Sequence, residues 1–219
     1  MGGGLRVAIA AVLLAIIAAC GSAQATIRYQ SGQGAPGLKW DFDTDTAGGL
    51  PEGAEAFSGE WVVRAETDAP SPPNALCQMG NAQFPAVALS DAVYSDLTMS
   101  ARFKPISGRE DQAAGLIFRI QDKDNYYILR ANALENNVNF YKCVGGRRSG
   151  LKESSITVPS GVWQELRVEA WRQQLRGFLN GELVVEVTDS TYAAGRVGLW
   201  TKADSVTCFD DVSVEPFAP

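Results

Sequence analysis

Polar and aromatic side chains recur at spacings that could hold a sugar. Residues 115–142 alternate apolar and polar positions in three strand-like runs, the period of a sheet with one buried side and one solvent-facing side. Sugar recognition uses an aromatic plane for C–H stacking, together with guanidinium, ammonium or amide groups for the hydroxyls. The alternative interpretation is a set of ordinary cross-strand polar pairs with partly buried aromatics. The candidate ligand-binding residues on the solvent-facing side are Arg119, Tyr126, Arg130, Asn139, Tyr141, Trp200 and Lys202.

Acidic residues near the two ends of the strand-rich region form a candidate calcium site. Asp41 and Asp43 alternate on one segment, and Asp211 lies near the end of the last one. Calcium takes roughly six to eight oxygen ligands from carboxylates and carbonyls. A structural calcium ion is one interpretation of these residues and solvated acidic strand ends are the other, and we predict no other cofactor.

Catalytic residues are harder to assign, because the chain contains no histidine. Its absence excludes Ser-His-Asp triads, Cys-His pairs and His-ligated zinc, so acid–base chemistry would depend on carboxylates such as Asp124, Glu135 or Glu165. Glu165 and Glu169 share a strand face at a backbone separation of roughly 13 Å, whereas retaining glycoside hydrolysis needs carboxyl groups about 5–5.5 Å apart. We therefore assign no catalytic residue and favour a binding role over an enzymatic one.

Composition and charge narrow the class of partner. A hydrophobic content of 46% over 219 residues indicates one globular domain, and the net charge of −6 argues against nucleic-acid binding. The cluster of basic residues is interpreted as a solvated hairpin end; it consists of Lys142, Arg147, Arg148 and Lys152.

The N-terminal segment has the features of a targeting signal. Residues 7–19 are uncharged and too few to span a bilayer, and Ile17-Ala18-Ala19-Cys20 is similar to a bacterial lipobox. We predict a lipoprotein signal peptide at 1–20, a lipidated Cys20, a flexible tether at 21–37 and a folded domain at 38–219. The protein would then lie in the bacterial cell envelope, facing the periplasm or the outer membrane, in contact with the membrane only through its lipid. The alternative is an ordinary signal peptide cut after residues 22–24.

Three further cysteines remain if Cys20 carries a lipid. Outside the cytoplasm one pair of Cys77, Cys143 and Cys208 could form a disulfide and leave one free thiol. Cys143 and Cys208 lie in strand-like runs, where a cysteine is more often a small core residue, and the pairing stays open.

The pattern from residue 38 onward is that of an all-β fold. A dozen or so short strand-like runs are separated by turn signals, and no run shows a long helical period. Asn180-Gly181 predicts a two-residue type I′ hairpin, because both central residues of that turn need positive φ. The expected architecture is a two-sheet antiparallel β-sandwich.

The order of several motifs resembles one family of jelly rolls. Residues 71–74 (SPPN), 115–119 (GLIFR), 124–127 (DNYY), 197–205 (VGLWTKADS) and 209–211 (FDD) are similar to concanavalin A-like, laminin G-like domains of the 3-keto-disaccharide hydrolase type. The resemblance covers most of residues 40–215 and implies a jelly roll that binds a glycan or another cell-envelope component on one curved sheet face. It also leaves open a glycoside-processing hydrolase of the 3-keto-disaccharide type, or a structural interaction domain without a small ligand.

Overall fold

The structure, a computed structural model, describes residues 35–217. The predicted signal peptide and Cys20 lie outside the described residues, as does the predicted tether except for its last three positions. Those positions lie against the domain, since Ala35 is buried and the Pro36 carbonyl accepts a hydrogen bond from the Tyr94 hydroxyl at 2.7 Å. Residues 35–217 include no helix that is long and apolar enough to cross a membrane.

Two antiparallel sheets make up the described part of the chain, which confirms the predicted all-β sandwich. The fifteen strands of residues 35–217 are β1 (Leu38–Trp40), β2 (Glu55–Ser58), β3 (Trp61–Ala65), β4 (Asn74–Gln78), β5 (Ala86–Ala88), β6 (Leu97–Ser107), β7 (Ala113–Asp122), β8 (Asn125–Asn132), β9 (Asn137–Val144), β10 (Arg147–Lys152), β11 (Gln164–Trp171), β12 (Gln174–Leu179), β13 (Glu182–Thr188), β14 (Arg196–Trp200) and β15 (Val206–Pro216).

The strand order places the last strand inside a sheet. One sheet of eight strands runs β13-β12-β11-β6-β15-β4-β3, with β1 also paired to β15. The other sheet of seven strands runs β10-β9-β8-β7-β14-β5-β2. Cys208 on β15 lies opposite Cys77 on β4, and these two cysteines form a disulfide, while Cys143 is a buried free thiol.

The main core lies between the two sheets, where alternate residues of each strand meet. Leu116 and Phe118 of β7 belong to this core, whereas their neighbour Ile117 joins a second apolar cluster with Ile128 of β8. The second cluster lies on the side of the seven-stranded sheet that is turned away from the eight-stranded one, called the outer face below. The seven-stranded sheet therefore has buried apolar side chains on both of its faces.

The predicted hairpin at Asn180-Gly181 is confirmed. Leu179 pairs with Glu182, and the two residues between them have φ values of 49° and 83°. Both values lie in the left-handed region that a type I′ turn requires, so the local sequence sets the register of β12 and β13.

Candidate functional site

A row of residues in register crosses four strands of the seven-stranded sheet. Trp200 of β14 lies opposite Gly115 of β7, Gly115 opposite Arg130 of β8, and Arg130 opposite Asn139 of β9. A Cβ atom at Gly115 would lie 3.1 Å from Trp200 Cε3, so the absence of a side chain there leaves room for the indole. The strands thus place four of the predicted site positions, those of Trp200, Arg130, Asn139 and their neighbour Tyr126, on one face.

This face is covered rather than open to solvent, which corrects the expectation of a solvent-facing side. Trp200 is 0% exposed and Arg130 is 1% exposed. Phe84, which precedes β5, stacks on Trp200 with ring centroids 5.7 Å apart, and Arg148 of β10 lies over the same indole at 5.6 Å. The alternation of polar and apolar residues places Tyr126, Arg130 and Asn139 on one face, but it could not show that a loop and an edge strand would cover that face.

Arg130 is held by two acceptors and an aromatic ring. Its Nη2 donates to Glu135 Oε2 at 2.5 Å and to Asn137 Oδ1 at 2.8 Å, and its guanidinium lies 5.2 Å from the centre of the Tyr141 ring. Its Nε is buried without a hydrogen-bond partner among the described residues. Burial raises the pKa of Glu135, but the Asn137 hydrogen bond and the Arg130 charge outweigh it, so that pKa lies below the ordinary range. Glu135 is therefore a carboxylate at neutral pH.

Arg148 lies above three aromatic rings. Its guanidinium carbon is 4.5 Å from the centre of Tyr141, 5.2 Å from Phe84 and 5.6 Å from Trp200. Contacts of this kind contribute roughly 0.5–2 kcal/mol each, depending on how far water is excluded. Burial lowers the pKa of Arg148, and its Nη1 is buried without a hydrogen-bond partner among the described residues. Arg130, Arg148, Tyr141, Trp200 and Phe84 are called the arginine–aromatic cluster below.

Lys202 lies beside this cluster in an ion pair with a buried carboxylate. Lys202 Nζ donates to Asp111 Oδ2, and Asn132 Nδ2 donates to Asp111 Oδ1. Asp111 is 1% exposed, and its Oδ1 is also 3.9 Å from Arg130 Nη1. Asp111 therefore connects two of the predicted ligand-binding cations, and the side chain of Lys202 keeps 28% of its surface exposed.

A cavity opens on the same face beside Tyr126. It has a volume of about 210 Å³, and its lining includes Phe57, Phe84, Tyr126, Asp124 and Cys143. Small-molecule sites in general combine aromatic side chains with a few polar groups, and three aromatic residues and Asp124 occur together in this lining. Burial raises the pKa of Tyr126 above its ordinary value, so its hydroxyl stays protonated.

Asn139 and Tyr141 are used by the fold itself. Asn139 Nδ2 donates to the Tyr141 hydroxyl at 3.0 Å, and Asn139 Oδ1 accepts the backbone N–H of Ser154 at 3.0 Å. Both the nitrogen and the oxygen of the Asn139 amide are therefore hydrogen-bonded within the protein, and the Tyr141 ring lies under Arg130 and Arg148.

Arg119 does not lie on this face, so the structure does not bring it together with the other predicted ligand-binding residues. A bulge interrupts the pairing of β7 with β8 after Phe118, and Arg119 has a φ of 50°. Its Nε donates to the Ser95 carbonyl at 2.9 Å and its Nη1 to the Tyr192 carbonyl at 3.0 Å. Because the bulge shifts the alternation by one residue, Arg119 turns toward loops at the edge of the sandwich instead of joining Arg130.

The predicted calcium ligands are not brought together. Asp211 forms an ion pair with Lys39 at 3.1 Å, and Asp43 Oδ1 accepts the Asn74 backbone N–H at 3.4 Å, while Asp41 accepts that of Asp43. Within residues 35–217, the one group of three acidic or thiol side chains close enough to share an ion is Glu66 with the two disulfide cysteines. Calcium binding stays a prediction without an assembled ligand set.

The candidate catalytic carboxylates are dispersed. Glu165 lies on β11 of the eight-stranded sheet, paired opposite Arg102, and Glu169 accepts a hydrogen bond from Arg167. Glu135 and Asp124 flank opposite ends of β8 on the other sheet. The only predicted carboxylate in contact with the arginine–aromatic cluster in the described structure is therefore Glu135.

Sequence reasoning missed the two residues that cover the site. Arg148 was interpreted as part of a solvated hairpin end, yet β10 pairs with β9 and places Arg148 opposite Cys143 on the outer face. Phe84 lies in a loop without periodicity, so no local pattern indicates its contact with Trp200. A signal for Arg148 was present in the sequence. A two-residue hairpin at Gly145-Gly146 pairs Arg148 with Cys143 and Gly150 with Tyr141, which puts Arg148 on the same face as Tyr141.

Comparison with known proteins gives a family and a fold. A family model described as "3-keto-alpha-glucoside-1,2-lyase-like domain" matches residues 53–215. The levanase of Bacillus subtilis (strain 168) is 28% identical over 142 residues, which are 63% of this chain and 20% of the levanase. The chain thus spans about a fifth of the length of that relative.

Solved structures with a similar fold include two named for carbohydrate binding. The carbohydrate binding module CBM66 from Bacillus subtilis is 23% identical with a TM-score of 0.64, over 74% of this chain and 95% of that chain. The Emp47p carbohydrate recognition domain is 11% identical with a TM-score of 0.57, over 84% of this chain and 95% of that chain. These likenesses confirm the jelly-roll fold, and at such identities they show the fold alone.

Proposed function

The chain belongs to the 3-keto-alpha-glucoside-1,2-lyase-like domain family, and from this premise we propose that it binds a carbohydrate on the outer face of its seven-stranded sheet. The observation that carries the proposal is the arginine–aromatic cluster beside the cavity lined by Phe84 and Tyr126. Aromatic faces suit the C–H surface of a sugar ring, and guanidinium and carboxylate groups suit its hydroxyls. The names of the levanase and of CBM66 support a saccharide as the ligand class.

The exposed layer of the site makes the first contact in this proposal. Arg148, Phe84 and Lys202 keep part of their surface accessible, whereas Trp200 lies beneath them. Trp200 therefore supports Phe84 and Arg148 from below, and the sugar stacks on Phe84, because the Tyr141 ring is covered by Arg130 and Arg148. The proposed contact residues are Phe84, Arg148 and Lys202, with Tyr126 in the lining of the cavity, and Arg130, Tyr141, Trp200 and Asn139 support them from beneath.

Calorimetric titration with a panel of oligosaccharides, levan fragments among them, tests this proposal. We expect Phe84→Ala to weaken binding about tenfold or more, because stacking and the closed wall of the cavity are both lost. Phe178→Ala is the matched control, since Phe178 also lies under an arginine, Arg167 at 3.7 Å, but on the eight-stranded sheet. Equal losses for both variants, or no binding by the unchanged protein to any saccharide, would contradict the proposal and favour a structural interaction domain.

A second candidate function is a reaction on a glycoside, as the family description suggests. The observation that favours it is that Arg130 contacts Glu135 and approaches Asp111, which puts two carboxylates at one guanidinium. Turnover of a panel of glucosides and 3-keto-glucosides, abolished by Glu135→Gln with binding retained, would support this candidate. Binding without turnover by the unchanged protein would reject it.

We also propose that the protein is a lipid-anchored component of the bacterial cell envelope, on the basis of the sequence at residues 17–20. Metabolic labelling with a fatty acid tests this assignment. Label is expected in the unchanged protein and not in Cys20→Ser; label in both, or in neither, would reject Cys20 as the anchor.

A further inference from the structure

The cations of the arginine–aromatic cluster and Lys202 are in ion pairs with one exception among the described residues. Arg130 is paired with Glu135, and Lys202 is paired with Asp111, which also lies near Arg130. Arg148 forms no ion pair with any residue of the described range. Three cations thus face two carboxylates, and the site carries a local excess of one positive charge on a chain whose net charge is −6.

The surroundings of Arg148 make this charge costly for the free protein. The guanidinium lies over Tyr141, Phe84 and Trp200, where ring faces replace water on one side. Its Nη1 is buried and unpaired, and Arg130, a like charge close enough to lower the pKa of Arg148, lies on the same side of the sheet. A buried donor without an acceptor loses its hydration without compensation.

A ligand hydroxyl at the accessible part of the Arg148 guanidinium would accept a hydrogen bond but would leave the charge unbalanced. A carboxylate or sulfate would do both, because its oxygens accept from the planar guanidinium and its charge balances the excess. Hydrogen bonds between ionised partners are roughly twice as strong as those between neutral ones. The three rings also hold the guanidinium in place, so little conformational freedom is lost when it binds an anion.

We propose that Arg148 is a specificity-determining residue that selects saccharides bearing an acidic group, a carboxylate or a sulfate, on the sugar that enters the site. This inference rests on the proposed function, because it names the ligand class of the same face. The second, independent observation is Arg130 Nε, which is buried, unpaired and on a side chain that is 1% exposed in the same cluster.

Pairs of oligosaccharides that differ only in the acidic group provide the test. Oligogalacturonates are compared with the same chains after reduction of their carboxyl groups to primary alcohols, and sulfated carrageenan fragments are compared with their desulfated forms. We expect the unchanged protein to bind one acidic member at least about tenfold more tightly than its neutral partner, the size of one charge-assisted contact. A preference in the oligogalacturonate pair identifies the selected group as a carboxylate, and a preference in the carrageenan pair identifies it as a sulfate.

Variants at two adjacent arginines separate a specific contact from general electrostatics. Arg148→Gln should abolish the preference for the acidic member, whereas Arg147→Gln, which removes the same charge from an exposed position of β10, should keep it. The preference should also weaken as salt rises in the unchanged protein. Circular dichroism of both variants checks that they are folded.

The possible failures are distinguishable. If the unchanged protein binds acidic and neutral members equally, or binds only neutral saccharides, the acidic specificity is overturned and carbohydrate binding stands. An equal loss of preference in Arg147→Gln and Arg148→Gln also overturns the role of Arg148. If no saccharide of either kind binds, the proposed function itself is overturned.

Discussion

Two almost fully buried arginines of this domain, Arg119 and Arg130, are satisfied in different ways. Arg119 donates to the carbonyls of Ser95 and Tyr192 and, at 3.5 Å, to the Asp96 carboxylate, and burial lowers its pKa. Arg130 donates to the side chains of Glu135 and Asn137 and keeps one unpaired N–H. The difference between the two is the unpaired donor: Arg130 Nε is without a partner among the described residues, whereas no nitrogen of Arg119 is. The sequence placed both arginines in strands but did not distinguish these two environments.

Asp189 offers a pH-dependent test at the scale of one residue. It follows β13 of the eight-stranded sheet and accepts hydrogen bonds from Tyr127 at 2.5 Å and Lys142 at 2.7 Å, both on the other sheet. Burial raises its pKa, but bonds from Lys142, Thr191 and Tyr127 outweigh burial, and the pKa lies well below the ordinary value of 3.8.

Asp189→Asn should therefore lower the free energy of unfolding by about 1–3 kcal/mol at neutral pH. A depressed pKa in the folded state stabilises the protein above the unfolded-state pKa and loses that effect as the pH falls through the folded value. The difference between the two proteins should be complete above about pH 5 and shrink below the ordinary pKa of aspartate. Urea unfolding at several pH values measures it, and a difference that does not change with pH would contradict the assigned ion pair.

At the scale of elements, the bulge in β7 depends on the strand beside it. Gly195 precedes β14 and exchanges two backbone hydrogen bonds with Tyr94, at 2.9 and 3.0 Å. A Cβ atom at Gly195 would lie 2.3 Å from the Arg119 carbonyl carbon and 2.5 Å from the Ile120 carbonyl oxygen. Only a glycine allows the backbone of the bulge to approach so closely, and this approach directs Arg119 toward the sandwich edge.

Gly195→Ala should accordingly destabilise the protein by more than Gly181→Ala. The first substitution forces backbone atoms apart, at a cost of about 1–3 kcal/mol or more. At Gly181 a Cβ would contact nothing, so the cost is confined to a φ of 83° and amounts to about 1–2 kcal/mol. Thermal unfolding of the two variants compares them directly, and a larger loss for Gly181→Ala would contradict the close packing at the bulge.

At the scale of the whole molecule, the sequence allowed the sandwich architecture to be predicted but not the contacts that form the candidate site. Period-two alternation and turn residues such as Asn180-Gly181 are local signals, so the sandwich and most strands could be predicted. The contacts of Phe84 and Arg148 with Trp200 join segments far apart in the chain, and they depend on the order of strands within a sheet. The shift at Arg119 was hidden for a related reason, because its bulge depends on the close approach of Gly195, which lies outside β7.

The disulfide provides a test of stability at this scale. Cys77 and Cys208 are separated by 131 residues, so the bond closes most of the folded domain into a loop. In the chain-entropy account a loop of about 100 residues is worth up to about 4.7 kcal/mol, with typical losses of about 2–5 kcal/mol on removal. The double variant Cys77→Ala/Cys208→Ala should lose free energy of unfolding in this range. Urea unfolding with and without reductant checks it, with Cys143→Ser as the control; an unchanged midpoint on reduction would contradict the prediction.

The position of β15 has a consequence for the order in which the protein can be made. This strand lies between β6 and β4 and also pairs with β1, so it is the partner that joins the early strands to the middle of the chain. A ribosome releases β15 after all fourteen others, and until then β4 and β6 have no shared neighbour in their sheet. Folding during synthesis is thereby postponed until nearly the whole domain has emerged. The nascent chain consequently stays unfolded enough to pass through a narrow channel until β15 is released.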